Sequence, residues 1–418
     1  LMADADTVWL RDPRPFLQCS AGAQVDGCSA LARADIMVSS DNLSPRRDWA
    51  AGSEYTRAGI FNTGIVFARA TRGGQAFMHA WVDRLGATEG RYKGLTSDQQ
   101  VFNTMVRREG EWPGLDVIPL VDGGSGATSP RSRLLTTADA DGAVLGALPI
   151  ALFSSGHVAF VQRAAEAMNL APYAVHATYT FDGSTAEAKE WRFREAGLWR
   201  VRDALQEDNR MRFLTFDATV PMSVRGSAES GLGPHLRAMA FHIQSIRNAF
   251  ALARALKRTL VVPRLTCFCD KLWGGHDNLF RTGCMYPGSE DGRFLPFACP
   301  LDHLLSPTNM QKEGFAFVEE HALEREDVRG AVAGEATVLV GDDGGSGVRL
   351  PARATDAQAR EALVSVSGAG LLRLSSAHAA FGGFADVAEG AEFDAVAARA
   401  LAPPQWCAEC HPNGCRNL

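Results

Sequence analysis

Lysine is scarce in this chain, five residues of 418, and the 42 basic residues together are outnumbered by 48 acidic ones. The formal net charge of −6 excludes a nucleic-acid binder that works by bulk positive charge, because phosphate neutralisation needs an excess of cations. Long apolar runs are also missing. The best one, residues 143–153, is about half the ~20 residues a helix needs to cross a bilayer. Residues 1–16 lack the basic and then apolar zones of a secretory leader. No internal repeat is present, which leaves repeat architectures aside. What the chain has is an ordinary globular composition, 46% hydrophobic and 22% charged, so wholesale disorder is excluded. At roughly 150 residues per domain, this length suggests two or three domains. The opening Leu1-Met2-Ala3-Asp4 reads as the end of a buried strand, and the expectation is that the chain begins inside a domain.

Cysteine is present in an odd number, nine. Cys267 and Cys269 are near neighbours, with Cys284 and Cys299 downstream in a Gly/Pro-rich loop, and Cys407, Cys410 and Cys415 crowd the C-terminus. Cysteines clustered in loops fit disulfides in an oxidising compartment. The alternative is zinc on Cys407-x-x-Cys410-His411 with Cys415, although four ligands within nine residues pack awkwardly.

Residues 1–200 alternate short apolar runs with helical patterns. Strands are predicted at 35–39, 60–68, 117–121, 149–153 and 173–178. Between them lies a helix over 75–85, with Phe77, Trp81, Val82 and Leu85 on one stripe. A second helix, over 98–108, carries Val101, Phe102, Met105 and Val106 inward. Ser97 is suited to cap it, and Gln100 to complete a capping box. The alternation predicts an α/β domain with a mostly parallel sheet. A helix over 184–200 turns Trp191 and Leu198 inward. A second α/β unit follows: a strand at 213–216, a Gly/Ser/Pro-rich loop, a long helix over 235–257 and a strand at 259–262 stopped by Pro263. Further strands are predicted at 337–341 and 371–374, whereas 122–147 and 342–356 are rich in Gly, Asp and Ser and read as loops.

The sharpest chemical feature is Asp4-Ala5-Asp6 after an apolar strand end, followed by Val8-Trp9-Leu10. Two carboxylates one residue apart on a turn can face one hard cation, Mn²⁺ or Mg²⁺, that leaves room for phosphate oxygens. A second copy, Asp139-Ala140-Asp141, lacks a preceding strand and reads as solvated loop. Asn62-Thr63-Gly64 interrupts an apolar strand, which suits either a simple bulge or close approach by a ligand. Asp98-Gln99 opens a helix, where the dipole favours a carboxylate; helix capping is the plainer reading. His157 and His176 each follow an apolar strand and could complement two Asp ligands, although a lone His is more often structural.

Taken together, Asp-x-Asp-x-x-Trp-Leu at 4–10, Ala34-Asp35-Ile36, Ser39-Ser40-Asp41, Asn62-Thr63-Gly64 and Asp98-Gln99-x-x-Phe102-Asn103 resemble glycosyltransferase family 77. Ser155-Gly156-His157, Tyr173-Ala174-Val175-His176, Ile246-Arg247-Asn248-Ala249, Arg258-Thr259-Leu260-Val261-Val262-Pro263 and Cys299-Pro300-Leu301-Asp302-His303 are similar to its plant extensin arabinosyltransferase branch. The resemblance covers roughly 1–305. It implies a GT-A fold over 1–205, a Rossmann-like α/β accessory domain over 206–418, and retaining, metal-dependent transfer. The expected sugar is L-arabinofuranose from a UDP-sugar, and the expected acceptor a hydroxyproline-rich cell-wall glycoprotein. Asp4, Asp6 and His176 would then hold Mn²⁺ or Mg²⁺. Asn62, Gly64, Asp41 and His157 would bind substrate, and Asp98 and Gln99 would sit at the reacting carbon. The implied location is the Golgi lumen, with any membrane attachment through an upstream anchor. GT-A enzymes place nucleotide-binding strands before Asp-x-Asp, so that half-site is expected upstream of Leu1. Residues 213–263 also resemble the first β-α-β of fucosyltransferases, where Arg247 would meet a phosphate. Other activities compatible with these residues are xylosyl or galactosyl transfer and non-catalytic glycan binding.

Overall fold

Short strands of the first 179 residues assemble around one long one. Strands β1 (Met2–Ala3), β2 (Thr7–Trp9), β3 (Ile36–Ser40), β4 (Phe61–Ala68), β5 (Asp116–Val117), β6 (Leu134–Thr136), β7 (Val144–Ala147), β8 (Phe153–Ser155) and β9 (Ala174–His176) form two sheets. The larger has the order β1-β4-β3-β7-β6-β5, and the smaller is β2-β9-β8. The computed structural model describes residues 1–19, 28–87, 90–107, 116–117, 132–137, 142–183, 185–199, 212–228, 230–270, 284–286, 288–290, 295–402, 410–411 and 414–415.

The larger sheet is mixed. Only β3 with β7 is parallel among its pairs; β1–β4, β3–β4, β6–β7 and β5–β6 are antiparallel. The predicted mostly parallel sheet therefore gives way here to a mixed one. Two of the four antiparallel pairings come from β6 and β7, which lie in the Gly/Asp-rich stretch read as loop. Three or four residues each are too few to show a period, yet Leu134, Leu135, Leu145 and Ala147 are buried against β3 and the helices. Similarly, 149–153 is mostly a turn, and the strand there begins at Phe153.

Two helices cover one face of this sheet. Thr71 caps Arg72–Leu85 by accepting from the Gly74 N–H at 3.0 Å. Phe77 and Trp81, one turn apart, are buried, whereas Val82 is 63% and Leu85 42% exposed. The apolar stripe is thus narrower than predicted, because Val82 stands about 100° round the helix from Trp81. Helix Asp98–Met105 turns Phe102 into the middle of the core, edge-on to Phe77 and Trp81 at 5.4 and 5.1 Å. Below the sheet, Asp48 forms a buried ion pair with Arg133 at 2.8 Å and accepts from the Ile150 N–H at 3.1 Å. Cys19 and Cys28 form a disulfide closing a short loop, a pairing that the sequence did not single out.

The second unit comprises residues 180–286 and 294–418, and the first 1–179 with 287–293. Helix Ala186–Glu195 belongs to the second unit because Trp191 stacks on Phe317 at 4.6 Å and Arg192 is buried against Asp302 at 2.8 Å. The expected boundary at 205/206 lies outside the described residues. The strands are β10 (Phe213–Phe216), β11 (Thr259–Val262), β12 (Leu265–Cys267), β13 (Phe297–Cys299), β14 (Phe317–Glu319), β15 (Glu335–Val340), β16 (Val348–Leu350), β17 (Ala354–Thr355), β18 (Leu371–Leu374), β19 (Phe381–Gly383), β20 (Cys410–His411) and β21 (Gly414–Cys415). The six-stranded sheet, β14-β11-β10-β18-β15-β16, is parallel at every pairing. The predicted Rossmann-like β-α-β is present as β10, helix Leu232–Leu256 and β11. Met239, Ile246 and Phe250 pack the buried face of that helix. Strands β16 and β17 occupy the other stretch read as loop, again too short to signal themselves.

Two disulfides pin the hairpin β12–β13 and its loop: Cys267–Cys299, Cα atoms 5.5 Å apart, and Cys269–Cys284, 4.6 Å apart. All four are the cysteines expected to pair. Cys407 of the alternative zinc site and the second Asp-Ala-Asp lie outside the described residues. Among the described residues, no helix is long and apolar enough to cross a membrane.

Candidate metal and sugar site

The Asp-x-Asp turn is held from two sides. The Asp4 N–H donates to the Gly64 carbonyl at 3.0 Å, and the Thr7 N–H closes the turn onto the Asp4 carbonyl at 3.0 Å. Beyond it, β2 runs antiparallel to β9 with Thr7 opposite His176, and the Ala177 N–H donates to the Asp6 carbonyl at 3.0 Å. This pairing brings His176 across from the turn. Its Nε2 lies 3.5 Å from Asp4 Oδ2 and 3.2 Å from Asp6 Oδ1. Side-chain exposure is graded, 56% for Asp4, 15% for Asp6 and 8% for His176, so the group is built into the surface with one open side.

One ligand atom from each of the three residues falls within 4.8 Å of the others, the only such group among the described residues. Two carboxylate oxygens and one imidazole nitrogen suit Mn²⁺ or Mg²⁺, and three protein ligands leave coordination positions for other oxygens. The donor set therefore fits the cation that the sequence implied.

Beside this group β4 is irregular. Its pairing with β3 jumps from Val38–Val66 to Ser39–Asn62, so Thr63-Gly64-Ile65 bulges out directly after the paired Asn62. The bulge turns polar groups to one place. Asn62 Nδ2 donates to Asp41 Oδ1 at 2.8 Å, and its Oδ1 accepts the Gly64 N–H at 2.8 Å. Gln99 Nε2 reaches Asp41 Oδ2 at 3.5 Å, and its Oε1 accepts the Thr63 N–H at 3.3 Å. Burial pushes the Asp41 carboxyl above its ordinary range, against the pull of Asn62, His176 and Gln99.

Asp98 joins the same edge. Its Oδ2 accepts the Thr63 hydroxyl at 2.9 Å, and its backbone carbonyl accepts Trp81 Nε1–H at 3.1 Å. Ser97 precedes the helix without a side-chain cap bond, so the expected capping box does not form. Instead the helix is clamped to β4 by Asn103, which accepts the Phe61 N–H at 2.9 Å and donates to the Phe61 carbonyl at 2.7 Å. Thr63 was not singled out as a site residue from the sequence. Its only signal was its position between Asn62 and Gly64.

His157 stands apart. Fully buried, it pairs through Nδ1 with Gln162 at 3.0 Å and lies edge-on to Tyr179. Gln162 donates to the Leu43 carbonyl at 2.7 Å, and the Tyr179 hydroxyl to the Asp41 carbonyl at 3.0 Å. His157 thus supports the Asp41–Leu43 segment from behind and does not join Asp4, Asp6 and His176. In the second unit, Arg247 is ion-paired with Asp394 on an exposed face.

Comparison with known proteins bears on this geometry. A family model described as nucleotide-diphospho-sugar transferase matches residues 1–193. The chain is 31% identical to arabinosyltransferase XEG113 of Arabidopsis thaliana over 316 residues, 75% of this chain, and spans 42% of that relative's length. No solved structure matches. Residues 1–193, which carry the whole of this site, belong to the nucleotide-diphospho-sugar transferase family, and the chain is similar to the family-77, arabinosyltransferase type.

Proposed function

We propose that the protein is a metal-dependent, retaining glycosyltransferase that moves L-arabinofuranose from its UDP donor to the glycan of a hydroxyproline-rich glycoprotein. The observation that carries this reading is the convergence of Asp4, Asp6 and His176 beside the Asn62–Asp41–Gln99 network, within the matched family domain. The donor sugar and acceptor rest on likeness to the arabinosyltransferase relative. The reading includes a Golgi lumenal location, an upstream membrane anchor and a second unit that is not itself catalytic.

Asp4, Asp6 and His176 would hold the cation, which when bound would neutralise charge on the diphosphate of the leaving nucleotide. Asp41 and Asn62 present a carboxylate and an amide to sugar hydroxyls, with Gly64 beside them. Asp98, oriented by Thr63, faces the anomeric carbon, with Gln99 beside it. The acceptor oxygen forms its bond to that carbon on the face from which the diphosphate oxygen departs. The bonding pair of the broken C–O bond leaves with UDP, and the acceptor proton passes to a phosphate oxygen.

A panel of UDP-sugars, offered with and without Mn²⁺ to an arabinosylated hydroxyproline peptide, tests this. Mn²⁺-dependent turnover of UDP-L-arabinofuranose with retained configuration is expected. Turnover of UDP-xylose or UDP-galactose instead would assign another activity of the same family type. Glycan binding without turnover of any donor would make this a binding protein.

A further inference from the structure

Gly64 has a second place in this site. It lies outside the left-handed region of backbone conformation, so its φ does not demand glycine. Space does. A Cβ built on Gly64 would fall 2.1 Å from Cε1 and 2.3 Å from Nδ1 of His176, far inside contact distance. The same residue's carbonyl accepts both the Asp4 N–H at 3.0 Å and the Thr7 hydroxyl at 3.3 Å. Its own N–H is held by Asn62 Oδ1 at 2.8 Å.

We propose that Gly64 is the positioning residue of the cation group: its carbonyl pins the Asp4–Asp6 turn, and its missing side chain is the notch that seats the His176 ring. This rests on the cation site proposed above and deepens it. The bulge explains why one residue can do both. Asn62 accepts the Gly64 N–H, and the carbonyl is turned to the Asp4 turn instead of to β3. The face left bare of a Cβ lies against β9, whose pairing with β2 delivers His176. An added methyl meets the outer end of the imidazole and, at 2.9 Å, Asn62 Oδ1, both side-chain atoms and not backbone. The ring can therefore rotate away and the fold survive, but Nε2 then leaves Asp4 and Asp6.

The test compares Gly64→Ala, His176→Ala and the double variant by Mn²⁺ titration calorimetry. It also follows the His176 Cε1–H resonance in metal-free protein, assigned by its loss in His176→Ala. Gly64→Ala is expected to keep its near-UV circular dichroism, shift that resonance, and lose Mn²⁺ affinity by about 10- to 100-fold, as when a ligand's supporting group is removed. The double variant should bind no more weakly than His176→Ala, because the two closest clashes, at 2.1 and 2.3 Å, are with that ring. Wild-type Mn²⁺ affinity with an unshifted resonance in Gly64→Ala would overturn the proposal. So would a raised KM for the UDP-sugar with unchanged Mn²⁺ affinity, which would leave Gly64 a lining residue of the sugar pocket. Wild-type protein that takes up no Mn²⁺ would defeat the cation reading, and the resonance comparison would still decide whether Gly64 seats His176.

Discussion

Asp98 shows how a short hydrogen bond separates two roles for one residue. Its carboxylate accepts from Thr63 at 2.9 Å, a bond that ties a helix start to the bulge. If it faces the reacting carbon, its loss harms the transition state more than donor binding. Asp98→Asn is expected to lower kcat about 10²-fold with little change in KM for the UDP-sugar, and near-normal kcat would reduce it to a helix-start residue. Thr63→Val, which removes only the donor, should move kcat the same way by less. A different residue-scale prediction concerns stability. Burial alone would raise the Asp302 carboxyl, but the Arg192 guanidinium and His303 beside it hold it below the usual range. Asp302 also accepts the Phe181 N–H at 2.8 Å. Asp302→Asn leaves Arg192 buried without its counter-charge and should cost about 3–5 kcal/mol in denaturant unfolding.

At the scale of elements, β4 unites core and site. Phe61 and Val66 face the helices while the bulge between them carries the polar groups. The hairpin β12–β13 has three residues a side and depends on covalent support. Peptide mapping without reduction should recover Cys267–Cys299 and Cys269–Cys284, and four free thiols in secreted material would refute both pairings and the lumenal location. Replacing Cys267 and Cys299 together by Ala should cost about 2–5 kcal/mol, because the open loop regains conformational freedom when unfolded.

At the scale of the whole molecule, buried titratable groups in the second unit set a pH window for stability. Burial, with His303 and His242 nearby, pushes His235 down to about 3, and burial pushes His242 down to about 4. Below the ordinary value of 6.5 the unfolded chain takes up protons that the folded one refuses, so stability falls as pH falls. Glu195 has the opposite sign. Burial, helped by the Asp302 charge, pushes it up from 4.5 to about 8, so the folded unit keeps a proton that the unfolded chain releases. Stability is then lost as pH rises towards about 8. Calorimetry of the second unit's transition should show a maximum near pH 6.5 and a fall on both sides. Glu195→Gln should flatten the alkaline limb while a fall towards acid pH remains, and an unchanged alkaline limb would sink the assignment.

Long apolar periods were legible in the sequence by itself, because burial of a face repeats every 3.6 or two residues whatever the surroundings. Helices Arg72–Leu85 and Leu232–Leu256, strand β4 and the parallel unit around β10 and β11 follow from that, as does the motif order that led to the family. The pairing cysteines of the β12–β13 region were legible for a different reason: little periodic core surrounds them. Strands β6, β7, β16 and β17 were not, since two to four residues carry no period and their strand state comes from the neighbours they pair with. The same holds within the site. Asp4 and Asp6 declare themselves by spacing, but His176 meets them only because β2 pairs with β9, and His157, equally eligible by its flanking strand, is turned instead to Gln162. The family resemblance already named His176 for the cation, but the register between distant strands that carries its ring to the two carboxylates is something only the tertiary structure decides.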